Sequence, residues 1–414
     1  MLKGTVLFLL LLAGVIFPGG CGTPADKAPT AREEGEQLAD APRIEDVTEE
    51  EYRTSVLDYI GRNLHSTIET VGDSFPVATE KGVWKKDAGG WTGGYFAGML
   101  WMMFEATGDS AWLDPARKYT RLMERYQTDV DNIDVGILFY PSFVFGYRAT
   151  GKDYFRRVGL AGARTMMRRY LPAGGYFQNW GRLGDPGQMG FVIIDCLINL
   201  DHIYWAFGET GDSSFYRAAT SHALRTMGAH VRQDASSYQV VEFDPATGEM
   251  LRGLHKQGFS TESTWSRGQS WGIYGFTRAY GHTGEPAFLK TACRMADWFL
   301  DHLPADLVPY WDFQAPGIPD DARDSSAGSM AASGLIELAG YVDSPALRER
   351  YMKATRDILS SLTRNYLTRD LAGRNDGVLT GSTYFYAKGN SVDQANIWGD
   401  YYYLETILRL LGKE

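Results

Sequence analysis

Cysteine is nearly absent from this chain of 414 residues. Its three cysteines, Cys21, Cys196 and Cys293, show no metal-ligating spacing, and the last two sit in apolar helical patterns that predict buried thiols rather than a disulfide. A basic excess is also missing. Lys and Arg number 41 against 51 Asp and Glu, a net charge of -10, which excludes a nucleic-acid binder relying on broad phosphate neutralisation. Any anionic ligand must therefore be met by local cations. The one notable hydrophobic run, Val6 to Phe17, is too short to span a bilayer.

That run, with Lys3 ahead of it and Pro18-Gly19-Gly20 behind, reads as an export signal over residues 1–20. Cys21 follows as the residue that lipoprotein processing would acylate. A plain signal peptide is the alternative, because Pro18 suits its position poorly. Residues 21–46, rich in Ala, Pro, Thr and charge, have little to bury and predict a flexible tether. The expected product is exported, either periplasmic or a membrane-anchored lipoprotein, with residues 47–414 as its folded domain.

Aromatic residues are plentiful: 24 Tyr, 20 Phe and 11 Trp, most of which a core can absorb, while the remainder suit the C–H faces of sugars. An internal repeat organises them. Thr107-Gly108, Thr150-Gly151, Thr210-Gly211 and Thr283-Gly284 are four versions of one turn, each followed within a few residues by an aromatic side chain. Before each turn lies a segment apolar nearly all round, such as Gly94 to Ala106. After it lies an amphipathic one, such as Asp114 to Tyr126. Ser326 to Gly340 with Ala346 to Leu362, then Ile397 to Leu411, extend the alternation, and Glu49 to Ile68 supplies an opening helix. The expected fold is all-α, an (α/α)6 barrel of about six helix hairpins. Uneven turn spacing argues against an open solenoid.

In such a ring the loops leading into the inner helices open on one face, and these loops hold the unusual residues. They contribute Trp91, Asp134, Trp180 with Asp195, the run His255 to Arg267, Trp311 with Asp312, Arg323-Asp324, and Tyr384 to Asp393. An Asp before a helix is commonly an N-cap, and Asp324 and Asp393 read that way. Asp195, within Phe191-Val192-Ile193-Ile194-Asp195-Cys196-Leu197-Ile198, has an apolar setting that would raise a carboxyl's pKa. Asp134 is similarly placed. Two carboxyls facing one cleft would push their pKa values apart and leave one protonated near neutrality. A pair of buried, hydrogen-bonded helix-start aspartates is the competing reading.

These blocks resemble the unsaturated glucuronyl hydrolases, glycoside hydrolase family 88. The resemblance runs from Trp91-Thr92-Gly93-Gly94-Tyr95-Phe96-Ala97-Gly98 through Asp134-Val135-Gly136, Ile194-Asp195-Cys196 and Ser263-Thr264-Trp265-Ser266-Arg267-Gly268-Gln269-Ser270-Trp271-Gly272. It continues in Pro309-Tyr310-Trp311-Asp312-Phe313, Arg323-Asp324-Ser325-Ser326 and Trp398-Gly399-Asp400-Tyr401-Tyr402-Tyr403-Leu404-Glu405. It implies an (α/α)6 barrel with Asp195 as general acid and base and Asp134 as second carboxylate. Trp91, Trp180, Gln257, Trp265, Arg267 and Trp271 would line the sugar pocket. Arg267, or Lys388, would neutralise the uronate, and Tyr384 would add to the binding surface. Neither a metal nor an organic cofactor is implied.

The implied substrate is a terminal unsaturated uronic acid on an oligosaccharide released by a polysaccharide lyase. Two departures bear on it. Many members have His where this chain has Ile133, and another where it has Gln239. The Ser-x-x-Ser-x-Lys stretch of some members acting on sulfated sugars is reduced to Thr383-x-x-Tyr386-x-Lys388. Chondroitin, hyaluronan, heparin and ulvan all stay open as sources. The rival readings are an unsaturated rhamnogalacturonyl hydrolase of family 105 and a non-catalytic glycan-binding lipoprotein.

Overall fold

The computed structural model describes residues 49–368 and 376–412. The expected signal over 1–20, Cys21 and the tether at 21–46 lie outside the described residues.

The four Thr-Gly sites are one hydrogen-bonded device. Each threonine hydroxyl donates to the carbonyl four residues back, at 2.6–2.7 Å, and accepts the N–H two residues on. The glycines Gly108, Gly151, Gly211 and Gly284 cap their helices with φ between 64° and 70°, the left-handed region where a Cβ would be strained. Asp109, Asp212 and Glu285 then accept a backbone N–H at the start of the next helix. One short motif thus ends an inner helix and starts an outer one.

The inner segments are α2 (Gly93–Thr107), α4 (Val135–Phe139) continued by α5 (Phe145–Thr150), α7 (Leu200–Thr210), α9 (Ser266–Thr283), α11 (Ser325–Tyr341) and α13 (Ile397–Leu410). Outside them lie α1 (Glu49–Val71), α3 (Leu113–Met123), α6 (Asp153–Met167), α8 (Ser213–His230), α10 (Pro286–Asp301) and α12 (Pro345–Asn365). Burial follows the sequence pattern. Every residue of α2 from Gly93 to Met103 is buried, whereas α3 buries one stripe, Ala116, Tyr119, Thr120 and Met123. Pro141 interrupts the second inner segment: it has no N–H to donate, and the backbone between α4 and α5 widens into a π turn at Tyr140–Val144. Closure of the ring comes from α13, which packs on both α11 and α2.

Strands are few, and all lie in connections from an outer to an inner helix. β1 (Phe75–Glu80) pairs with β2 (Val83–Asp87), and β3 (Tyr170–Leu171) with β4 (Tyr176–Phe177). β5 (Phe191–Ile193), β6 (Val240–Phe243) and β7 (Met250–Leu254) form a three-stranded sheet. Cys196 is buried and Cys293 half-buried, and both are free thiols.

Neither of the two expected caps makes a capping bond. The carboxylate of Asp324 makes no capping bond at the start of α11 and pairs instead with Arg267. Asp393 lies in the loop before α13, whose cap is Asn396, accepting from Gly399 N–H at 2.7 Å.

Candidate active site

The loops leading into the inner helices are stitched to one another. Single bridges join Ala78 to Asn396 and Trp265 to Asp312 across different loops, while Tyr310 to Arg323 and Ser382 to Gln394 each close a loop on itself. Thr79 and Ala395 add two further bonds between the first and last of these loops. The stitched rim surrounds a cavity of about 370 Å³, into which Asp134 and Asp195 both face. That volume falls within the range of about 300–1,000 Å³ common for small-ligand sites.

Each carboxyl is placed by its own short element. Asp134 precedes α4 without capping it, and its loop is held by Asn132, whose amide donates to Gly90 O at 2.7 Å. Asp195 is the second residue of a 3-10 turn, Ile194–Asn199, that follows β5. Gly136 lets the two elements meet, since a Cβ there would lie 2.4 Å from Asn199 O. Asn199 also accepts Ile137 N–H at 2.9 Å, tying α4 to the turn carrying Asp195.

Burial pushes both carboxyls up, Asp134 to about 7 and Asp195 to about 6. For Asp134 the negative charge of Asp195 adds to the rise, while Asn199, Arg169 and Lys256 oppose it. For Asp195 the opposition comes from Arg267, its own backbone and Lys256. Two carboxyls so coupled titrate as a pair that holds one proton near neutrality. Asp195 Oδ1 is buried and has no hydrogen-bond partner among the described residues. A raised pKa alone does not mark the site: Asp400 also reaches about 7, but it accepts Val378 and Leu379 N–H at 2.9 and 2.8 Å and does not line this cavity.

The cavity brings together most residues singled out from the sequence. Trp91, Trp265, Trp271 and Tyr384 line it, as do Gln257, Arg267 and Lys388. Trp91 packs on Tyr384 and Trp398, with ring centroids 5.9 and 4.8 Å apart. Trp271, although 2% exposed, lines the cavity, and its indole N–H is buried without a partner among the described residues. Trp180 stands outside the lining and touches it through Lys256, whose ammonium lies 4.1 Å from the ring centroid. Gln257 spends its amide internally, accepting from Gln239 at 2.9 Å and donating to Tyr384 O at 2.8 Å.

Arg267 differs from the expectation of a carboxylate clamp. Its guanidinium is 2% exposed, pairs with Asp324, donates to Thr383 O and Tyr384 O at 2.7 and 2.9 Å, and lies 4.4 Å over Trp265. The fork that was to grip the sugar is occupied by the protein. Arg267 therefore braces the rim and supplies Asp195 with a positive field.

Several lining residues had no individual role assigned from the sequence: Lys256, Phe385 and Asn390 lie inside runs placed at the cleft, and Ile137 and Ile193 are apolar neighbours of Asp134 and Asp195. Lys256 had a visible signal, as a cation beside Gln257 in the run His255 to Arg267 of an acidic chain. Arg169 had none. Buried behind the site, it donates to Val130 O, Gln178 O and Gly181 O at 2.7–2.9 Å and so joins the loops bearing Asp134 and Trp180.

Comparison with known proteins places this geometry. Residues 66–412 match the profile of Glycosyl Hydrolase Family 88. An unsaturated glucuronyl hydrolase of Bacillus sp. (strain GL1) is 39% identical over 351 residues, covering 83% of this chain and 92% of that protein. The crystal structure of an unsaturated glucuronyl hydrolase from Bacillus sp. GL1, responsible for the degradation of glycosaminoglycan, superposes with a TM-score of 0.84 at 36% identity, covering 86% of this chain and 96% of that one. A mutant enzyme of the same name from Streptococcus agalactiae, complexed with dGlcA-GalNAc6S, superposes with a TM-score of 0.76 at 29% identity over 91% of this chain and 96% of that one. With the profile spanning all six inner helices and both cavity carboxyls, the chain belongs to glycosyl hydrolase family 88.

Proposed function

We propose that the cavity hydrates the C4=C5 double bond of a terminal unsaturated uronic acid and thereby releases it from an oligosaccharide. The reading rests above all on one observation: Asp195, one oxygen of which has no hydrogen-bond partner among the described residues, lines together with Asp134 a cavity walled by tryptophan in a family 88 chain. The double bond is a vinyl ether, more basic at carbon than an ordinary glycosidic oxygen. Asp195 gives its proton to C4, and positive charge develops at C5 and the ring oxygen. Water adds at C5 while the ionised Asp195 takes its proton, restoring the acid. The C5 hemiketal opens to a ketone, leaving C1 a hemiacetal that expels the neighbouring sugar as an alcohol and becomes an aldehyde. One water is consumed, and no C1–O bond is attacked directly. Asp134 keeps the shared proton in the site and offers an acceptor to the sugar.

Loss of the ultraviolet band of the conjugated double bond tests this on a panel of lyase-generated unsaturated disaccharides. Turnover bleaches the band, whereas a protein that only binds glycans leaves it intact. The panel also separates unsulfated from sulfated leaving sugars. Activity is expected to peak between about pH 6 and 7, set by the coupled pair, and to fall above that as the pair loses its last proton. A rate still rising at pH 9 would contradict a carboxylic acid donor.

Export and lipid anchoring of the chain are part of the same proposal, supported by Lys3, the apolar run and Gly19-Gly20 before Cys21. In a host that processes lipoproteins, the full chain is expected to take up labelled fatty acid and Cys21→Ala to take up none. Equal labelling of the two would remove the anchor.

A further inference from the structure

We propose that Lys256, laid against Trp180 and held in place by Gln239, recognises the carboxylate of the terminal sugar and makes the site selective for a charged uronide. The inference rests on the hydratase reading above and names the group that carries its specificity. The substrate's carboxylate sits on C5, beside the carbon that Asp195 must protonate, so its partner must reach the same cavity as Asp195. Among the described residues the cations lining that cavity are Arg267, Lys256 and Lys388. Arg267 is committed to Asp324 and two carbonyls. Lys388 ends the 3-10 turn Tyr386–Lys388, with its ammonium 4.8 Å from the Phe385 ring. The Lys256 ammonium has no hydrogen bond or ion pair among the described residues and rests on the face of Trp180.

Gln239 sets the distance between this cation and the acid. Its backbone carbonyl accepts Ile194 N–H at 3.1 Å, immediately before Asp195. Its side-chain oxygen accepts the N–H groups of Lys256 and Gln257 at 2.8 and 2.6 Å, and its amide nitrogen donates to Gln257 at 2.9 Å. Gln239 is 5% exposed, so water competes little for these bonds. The donor and the ammonium-bearing backbone thus hang from one residue, and Gln239 is a positioning residue for both. The indole face orients the lysine stem and partly dries its head, which strengthens pairing with an incoming anion. The positive charge of Lys256 also favours the ionised forms of Asp195 and Asp134. Once a uronate neutralises it, Asp195 loses one of the two cations opposing its proton, and the pair's proton shifts toward the residue that must donate it.

The test compares the unsaturated disaccharide of that panel which the parent enzyme turns over fastest with its uronate methyl ester, which keeps the reacting double bond and loses the charge. Lys256→Met is expected to raise KM for the acid about ten- to a hundredfold, the span of a lost charge-assisted hydrogen bond, with the ester's KM changed less than about threefold. Lys256→Arg should recover most of the acid's KM, and added salt should raise it in the parent enzyme. Equal loss for acid and ester in Lys256→Met, or an unchanged KM for the acid, overturns the assignment. Failure of the parent enzyme to turn over any unsaturated disaccharide of that panel overturns the hydratase reading itself, and this inference with it.

Discussion

Asp195→Asn is expected to fold, to bind unsaturated uronides and to lose turnover by about 10²- to 10⁴-fold, because an amide cannot supply the proton that C4 requires. The substitution disturbs little packing, since Asp195 Oδ1 has no hydrogen-bond partner to lose among the described residues. It should also stabilise the protein above neutrality. Burial raises the folded-state pKa of Asp195 from 3.8 to about 6, so its favourable contribution is complete below the unfolded value and is lost as pH rises through about 6. The amide escapes that loss. Melting temperatures of mutant and parent should converge near pH 4 and separate by pH 8 in the mutant's favour, each pKa unit being worth about 1.4 kcal/mol before the coupling with Asp134 is discounted. Near-parental turnover by the folded mutant would remove Asp195 as donor, and a lower melting temperature at pH 8 would contradict the burial argument.

Arg267→Met is expected to be the most destabilising single change at the rim, by about 3–5 kcal/mol, because it strands the Asp324 carboxylate, fully buried, without its cation. Pairing it with Asp324→Asn should recover much of the loss, as neutralising both partners removes the uncompensated charge. Arg267→Lys should fall between, keeping charge but losing the fork that reaches Thr383 O and Tyr384 O together. In any Arg267 variant that stays folded without the charge, Asp195 loses the cation that most favours its ionised form. Its pKa should rise, and the alkaline limb of the pH profile should move to higher pH. Denaturant melts and pH–rate profiles on one preparation decide the matter. A raised KM with unchanged stability would return Arg267 to the sugar.

The contrast between Arg267 and Asp195 shows how far residue order reached. Asp195 was legible because its apolar neighbours are its sequence neighbours, and a carboxyl among isoleucines must be desolvated or catalytic wherever the chain goes. Arg267 beside Trp265 and Trp271 looked equally functional, and the stack on Trp265 is there. Its decisive partner is 57 residues away, and the carbonyl of Thr383 is 116 away. No pattern around Arg267 tells whether its charge is satisfied. The same holds for Asp324, which precedes a helix as a cap would but sends its carboxylate elsewhere.

By itself the sequence determined the hairpins and their order. A Thr-Gly turn closes its bonds within four residues, and the contrast between a helix apolar all round and one with a single stripe is set by the residues of that helix alone. Those terms are local, and the amphipathic pattern says which helix lies inside. The tertiary structure alone decided the assignments of the cations, Arg267 to the frame and Lys256 to the cavity, and brought Asp134 and Asp195 to one cavity as the sequence could only anticipate. Those depend on distances across the ring and on how much water is excluded when α13 meets α2. An ion pair or a shared proton is a property of two groups and the medium between them, and neither exists until the ring has closed.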